Sequence, residues 1–187
     1  GSYRTGGYVG LTCAALVLLL AGLGLRNALR RKIDPAQHPL MQRLKTMAGG
    51  GDPRTVAAQI DAEVTQTAAQ PMVFGGVRVT PGFVILPSML GVEVLRLADL
   101  VWAHGEVTQH RTNGIPTGKT FAVKLHDRGR TQITLACKKE QISKDLLAEL
   151  ARRAPHALFG YSDDLQKLWL TSANDIIAAV DKRKQGG

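Results

Sequence analysis

The feature that most constrains this chain is an apolar run near its beginning. Residues 8–25 read YVGLTCAALVLLLAGLGL, eighteen positions without a charged side chain. As a helix this run spans about 27 Å, close to the thickness of a bilayer's hydrocarbon core. Tyr3 and Tyr8 stand at one end, where amphipathic rings favour an interface. Arg26, Arg30, Arg31 and Lys32 crowd the other end, with only Arg4 ahead of the run. The positive-inside rule then predicts a single-pass helix with its N-terminus outside and a cytoplasmic C-terminal domain. A cleaved signal peptide carries its basic residues before the apolar stretch, the reverse of this order. A helix apolar on every face suits a span better than one side of a small core. Residues 1–32 thus read as an anchor with a basic flank.

The same cluster accounts for much of the charge. The formal net charge is +9, and residues 1–32 hold five basic side chains and no acidic one. The rest of the chain holds 19 basic and 15 acidic residues, a net of +4, with Lys182, Arg183 and Lys184 in the tail. The basicity therefore reports the flank and the tail, not a nucleic-acid-binding face. Cys13 and Cys137 make neither a disulfide framework nor a metal cluster, which suits a reducing compartment.

Beyond a linker at residues 33–38, Pro39 opens a predicted short helix, PLMQRLKTMA, ended by Gly49-Gly50-Gly51. Asp52-Pro53 supplies an N-cap and a first-turn proline for a second helix running to about Ala69. Val56, Ile60 and Val64 mark its inner face, with Arg54, Asp61 and Glu63 outward. From residue 71 the period becomes two. Strands are predicted over residues 72–80, 83–86, 92–95 and 100–107. A clear hairpin follows, with Phe121, Val123 and Leu125 on one face opposite Ile133, Leu135 and Cys137. Asp127-Arg128-Gly129-Arg130 forms its turn, with Gly129 suited to positive φ. Lys139–Ala154 reads as a helix with Ile142, Leu146, Leu147 and Leu150 inward. Ser162 and Ser172 cap two further helices. The segregation of helices from strands gives an α+β class. The expected divisions are 1–32, a helical segment 33–70, a sheet with its closing helix 71–155, and a helical extension 156–187.

The stretch VEVLRLADLVWAHGEV, the hairpin closed by HDRGR, and the helix from near Glu140 to near Pro155 carry a resemblance. Over roughly residues 71–155 they resemble bacterial membrane-anchored proteins with a pleckstrin-homology-like domain, of uncharacterised function. The resemblance implies a curved antiparallel sheet closed by a C-terminal helix. It implies binding or scaffolding at a membrane rather than catalysis. The chain departs from that layout in having two helices before the sheet and residues 156–187 after it.

Candidate sites are sparse. GIPTGKT (Gly114–Thr120) has one residue too few for a phosphate loop, and a strand rather than a helix follows it. Nucleotide binding is therefore not expected. His104, Glu106 and His110 lie close in sequence, and His104 and Glu106 share a strand face, but no metal-ligand spacing supports them. His38, His126 and His156 read as surface or structural histidines. Cys137 and His126 fall on opposite faces of the hairpin, which argues against a nucleophile–base pair. Arg128, Arg130, Lys138 and Lys139, with Arg26, Arg30, Arg31 and Lys32, are candidates for contact with a lipid surface. Trp102 reads as core, and Tyr161 and Trp169 as possible partner contacts. The expected function is a membrane-tethered, non-enzymatic binding or scaffold domain, a subunit of a larger complex with a protein partner. The alternatives are anionic-lipid sensing and an enzyme of unrecognised type. No catalytic residue, cofactor, metal or nucleic acid is expected.

Overall fold

The computed structural model describes residues 39–186, apart from residues 89 and 90. The predicted span at residues 8–25, its flank Arg26, Arg30, Arg31 and Lys32, and His38 lie outside the described residues. The chain divides into two units, Gly1–Pro53 and Arg54–Gly187. In the first, the described element is α1 (Pro39–Ala48), with Leu40, Leu44 and Met47 along one face.

The second unit holds all of α2 (Pro53–Gln66) but its first residue. A meander follows: β1 (Met72–Phe74), β2 (Val77–Val79), β3 (Phe83–Ser88) and β4 (Gly91–Arg96), paired antiparallel in that order. A 3-10 turn at Leu97–Asp99 leads into β5 (Leu100–Thr112), β6 (Ile115–Asp127) and β7 (Gln132–Cys137). Then come α3 (Glu140–Arg153), β8 (Leu158–Phe159) and α4 (Asp163–Gln185). The second sheet has the order β7-β6-β5-β8, with β8 parallel to β5.

Alternation explains the main core. β7 buries Ile133, Leu135 and Cys137 and exposes Gln132, Thr134 and Ala136. These join Val123 and Leu125 of β6, Val79, Val84 and Leu95 of the first sheet, and Leu146 and Leu150 of α3. The opposite face of β5 and β6 is covered by α4, where Val101 and Trp102 meet Trp169, Ala173, Ile176 and Val180. Ser162 caps α4 by accepting from the Leu165 N–H at 3.1 Å. The two helices expected over this stretch are present: α4 is two helical segments that meet at a kink, where Ser172 takes a non-helical conformation (φ −143°, ψ 49°).

Several expectations are corrected. The single curved sheet is replaced by two open four-stranded sheets, and among the described residues four α-helices accompany them. Residues 72–80 form two strands, because Gly75 and Gly76 both take positive φ and turn the chain back. The positive φ in the 127–130 turn falls on Arg130, not Gly129. Glu63 does not face outward. Its Oε2 accepts from Thr80 Oγ1 and from the Gly82 N–H, each at 2.7 Å, tying α2 to the β2–β3 turn. A Cβ on Gly82 would lie 2.7 Å from Glu63 Oε1, so a side chain here would push the Glu63 carboxylate out of its present place.

The single-pass membrane architecture is corrected as well. Among the described residues no helix is long and apolar enough to cross a membrane. At 23 residues α4 is the longest, but it is broken by the kink at Ser172 and interrupted by Lys167, Asp175 and Asp181, and a span requires a nearly uncharged run. The membrane orientation and localisation inferred from residues 8–32 have no counterpart among the described residues.

Candidate functional site

The second sheet's α4-facing side carries an unusual group. Trp102, His104 and Glu106 alternate along one face of β5, and Lys124 and His126 lie beside them on β6. The register pairs Trp102 with His126 and His104 with Lys124. The Trp102 ring stacks on His104 at 4.3 Å between centroids and on His126 at 4.5 Å. Trp169 closes edge-on over His126 at 5.1 Å.

Both histidines are 2% exposed. Their ring centres are 5.5 Å apart but their Nε2 atoms only 3.4 Å, so the two nitrogens point at each other. Neither Nδ1 has a hydrogen-bond partner among the described residues. One imidazole can donate through Nε2 and the other accept, which holds the pair neutral. Burial is the main cause that lowers both pKa values, and for His126, aided by His104 and Lys124, the value falls to about 4.

A cleft of about 470 Å³ opens beside the pair, walled by His104, Glu106, Val107, Lys124, Tyr161 and Gln166. Lys124 Nζ donates to Glu106 Oε1 at 2.8 Å, and the two side chains are 25% and 43% exposed. Tyr161 overhangs His104, centroid to centroid 5.2 Å, while remaining 56% exposed. Its position is fixed by its neighbour. Trp102 Nε1 donates to the Gly160 carbonyl at 2.7 Å, and the Gly160 N–H donates to Ala103 O at 3.0 Å. Gly160 makes both bonds at φ +97°, a conformation that side chains disfavour.

The residues singled out from the sequence are scattered. Arg128 pairs with Asp181 and Arg130 donates to Asn174 at 2.9 Å, so both are held against α4. Lys138 and Lys139 are exposed beyond the opposite end of β7, about 20 Å away for six extended residues. The four do not converge on one surface. Trp169 is 9% exposed, inside the second core, whereas Tyr161 is accessible. His110 sits on the exposed hairpin, its Nε2 3.1 Å from Thr120 Oγ1. GIPTGKT forms the start of β6. Cys137 lies in the main core, across the sheet from His126, and burial raises its thiol pKa. Among the described residues no group of three or more His, Cys, Asp or Glu could hold a metal.

Residues 57–169, more than half of the chain, match the profile of a domain of unknown function, DUF6709. The chain belongs to that family. No curated protein and no solved structure matches it. The DUF6709 segment runs from α2 to Trp169 and includes Trp102, His104, Glu106, Lys124, His126 and Tyr161. Membership replaces the pleckstrin-homology-like resemblance. The membrane-tethered scaffold reading, with its membrane and protein partners, rested on that resemblance and on the span. With the resemblance replaced, that reading is withdrawn: the described part of this DUF6709 chain shows no membrane-anchoring feature, and the span lies outside the described residues.

Proposed function

We propose that the DUF6709 domain is a binding domain rather than an enzyme, and that its ligand is a small amino-acid-like zwitterion held in the cleft beside His104. The observation that carries this reading is the half-exposed Lys124–Glu106 pair on the cleft wall. A ligand bearing both a carboxylate and an ammonium exchanges that one pair for two, while a single charge would strand one partner. Tyr161 offers an exposed ring face for the ligand's apolar part, and Gln166 a further polar group. The volume suits a small molecule. Binding is favoured over catalysis because the Nε2 atoms of His104 and His126 are committed to each other, and Cys137 lies across the sheet.

Calorimetric titration with free L-amino acids, their amides and their N-acetyl derivatives tests this. Zwitterions are expected to bind at least about tenfold more tightly than either blocked form, and Lys124→Ala to remove the difference. Equal affinity for free and blocked forms, or no binding of any, would overturn it.

A further inference from the structure

β8 is a short strand on a long edge. It pairs with β5 at Trp102 and Ala103 alone. The Gly160 N–H donates to Ala103 O at 3.0 Å, and the chain then turns away through Gly160 at φ +97°. From His104 to Thr112, β5 has a partner strand among the described residues on one side only, that of β6. Between Trp102 and His110 the register with β6 is unbroken, so this stretch keeps a regular alternation.

That alternation fixes where the main chain points. The N–H and C=O of one strand residue face one side, and those of the next residue face the other. Ala103 O faces β8, so the N–H and C=O of Gly105 and Val107 face the same side, beyond the end of β8. Both residues are exposed, and both line the cleft of about 470 Å³ beside His104. The Gly105 main chain also acts on the His104 ring, raising its pKa against the larger effect of burial, so Val107 is the cleaner reporter. Strand edges are commonly guarded by proline, charge or a bulge. β5 contains no proline, its irregularity at His110 and Arg111 comes after this stretch, and Glu106 is paired with Lys124.

We infer that the cleft takes its ligand as an added strand, a tripeptide-sized peptide with free ends that pairs with β5 along Gly105–Val107. The inference rests on the zwitterion reading of the Lys124–Glu106 pair and names the zwitterion's class. A single amino acid has no amide to offer the edge. The middle residue of a tripeptide presents its own N–H and C=O on one side, as strand addition requires. The charges set the direction. Lys124 is level with His104, and Glu106 lies two positions further along β5. Such diagonal positions are about 7–8 Å apart at the backbone, the span of roughly two extended residues. Lys124 then meets the carboxylate at the start of the stretch and Glu106 the ammonium at its end, so the peptide runs antiparallel to β5. The exposed Tyr161 ring is a surface for one of its side chains.

The full chain is titrated calorimetrically with L-alanine, with trialanine, and with trialanine carrying an ester oxygen in place of its middle N–H. Trialanine is expected to bind at least about tenfold more tightly than L-alanine, and the ester to lose most of that gain. Amide hydrogen exchange reads the protein's side. Trialanine should protect the Val107 N–H and leave the His104 N–H, which is turned to β6, unchanged. Val107→Pro removes that edge N–H where an edge strand accepts proline, and should bind trialanine no more tightly than L-alanine. L-Alanine binding with trialanine no tighter, or an ester as good as the amide, would overturn the added strand and leave the zwitterion reading standing. Binding of neither overturns both. Protection of Val107 that rises with protein concentration in the absence of peptide means that a second copy of the chain fills the edge, and contradicts the inference.

Discussion

The two faces of the β5–β6 hairpin are built from the same strands yet have opposite chemistry. One presents Ala103, Val123 and Leu125 to the main core. The other presents Trp102, His104 and His126 to α4, with Glu106 and Lys124 at the margin. Both are buried near the base of the hairpin. The apolar face gains stability with every methylene removed from water. The aromatic face buries two imidazoles whose Nδ1 atoms lack partners among the described residues, at a cost of about 1–3 kcal/mol for each such group. A surface that only held α4 would be served better by leucines. The difference is what the proposed ligand site rests on: the first face serves packing alone, and the second carries polar groups that packing does not call for.

The largest contrast is expected from cavity formation. Leu125→Ala on the apolar face should cost about 2–5 kcal/mol, measured by urea denaturation. Next is the pH response of the aromatic face. His126 has an ordinary pKa of 6.5 and a folded value of about 4, so between those limits the unfolded chain binds the extra proton. Its neutral burial is fully compatible with folding above about pH 6.5, and stability falls as pH drops from there towards 4, by ~3 kcal/mol. His104 and His156, both lowered, act in the same direction. Denaturation curves for His126→Phe should be visibly flatter over that range, and an unchanged slope would break the comparison. Trp102→Phe removes the bond to Gly160 and should cost about 1–3 kcal/mol, with greater mobility of Tyr161 seen by NMR relaxation. The smallest effect is expected where both faces reach solvent. Val107→Thr, on a side chain already 56% exposed, should change stability by no more than about 0.5 kcal/mol.

What the sequence revealed follows the same division. The apolar face was legible, because Phe121, Val123 and Leu125 alternate and Ile142, Leu146, Leu147 and Leu150 keep helical spacing. The histidine pair was not. The Asn113-Gly114 turn sets Thr112 opposite Ile115, and an unbroken register would carry His104 to Val123. An irregularity between His110 and Arg111 shifts the pairing by one residue and brings His104 to Lys124, beside His126. No local residue pattern announces that shift. The face shared by His104 and Glu106 was visible, but not their neighbours across the hairpin. Glu63 escaped for a similar reason, since its partners lie on a turn 17 to 19 residues away. The apolar run at residues 8–25 dominated the reading of composition, and it lies outside the described residues.

The central claim is that the aromatic face of β5–β6 is a ligand site. The most direct measurement follows the Trp102 indole N–H and Tyr161 ring signals by NMR as a free L-amino acid is added to the full chain. The account predicts saturable shifts of both signals that disappear in the Glu106→Gln, Lys124→Ala double variant. Signals that do not move, or that move equally in the double variant, would contradict it.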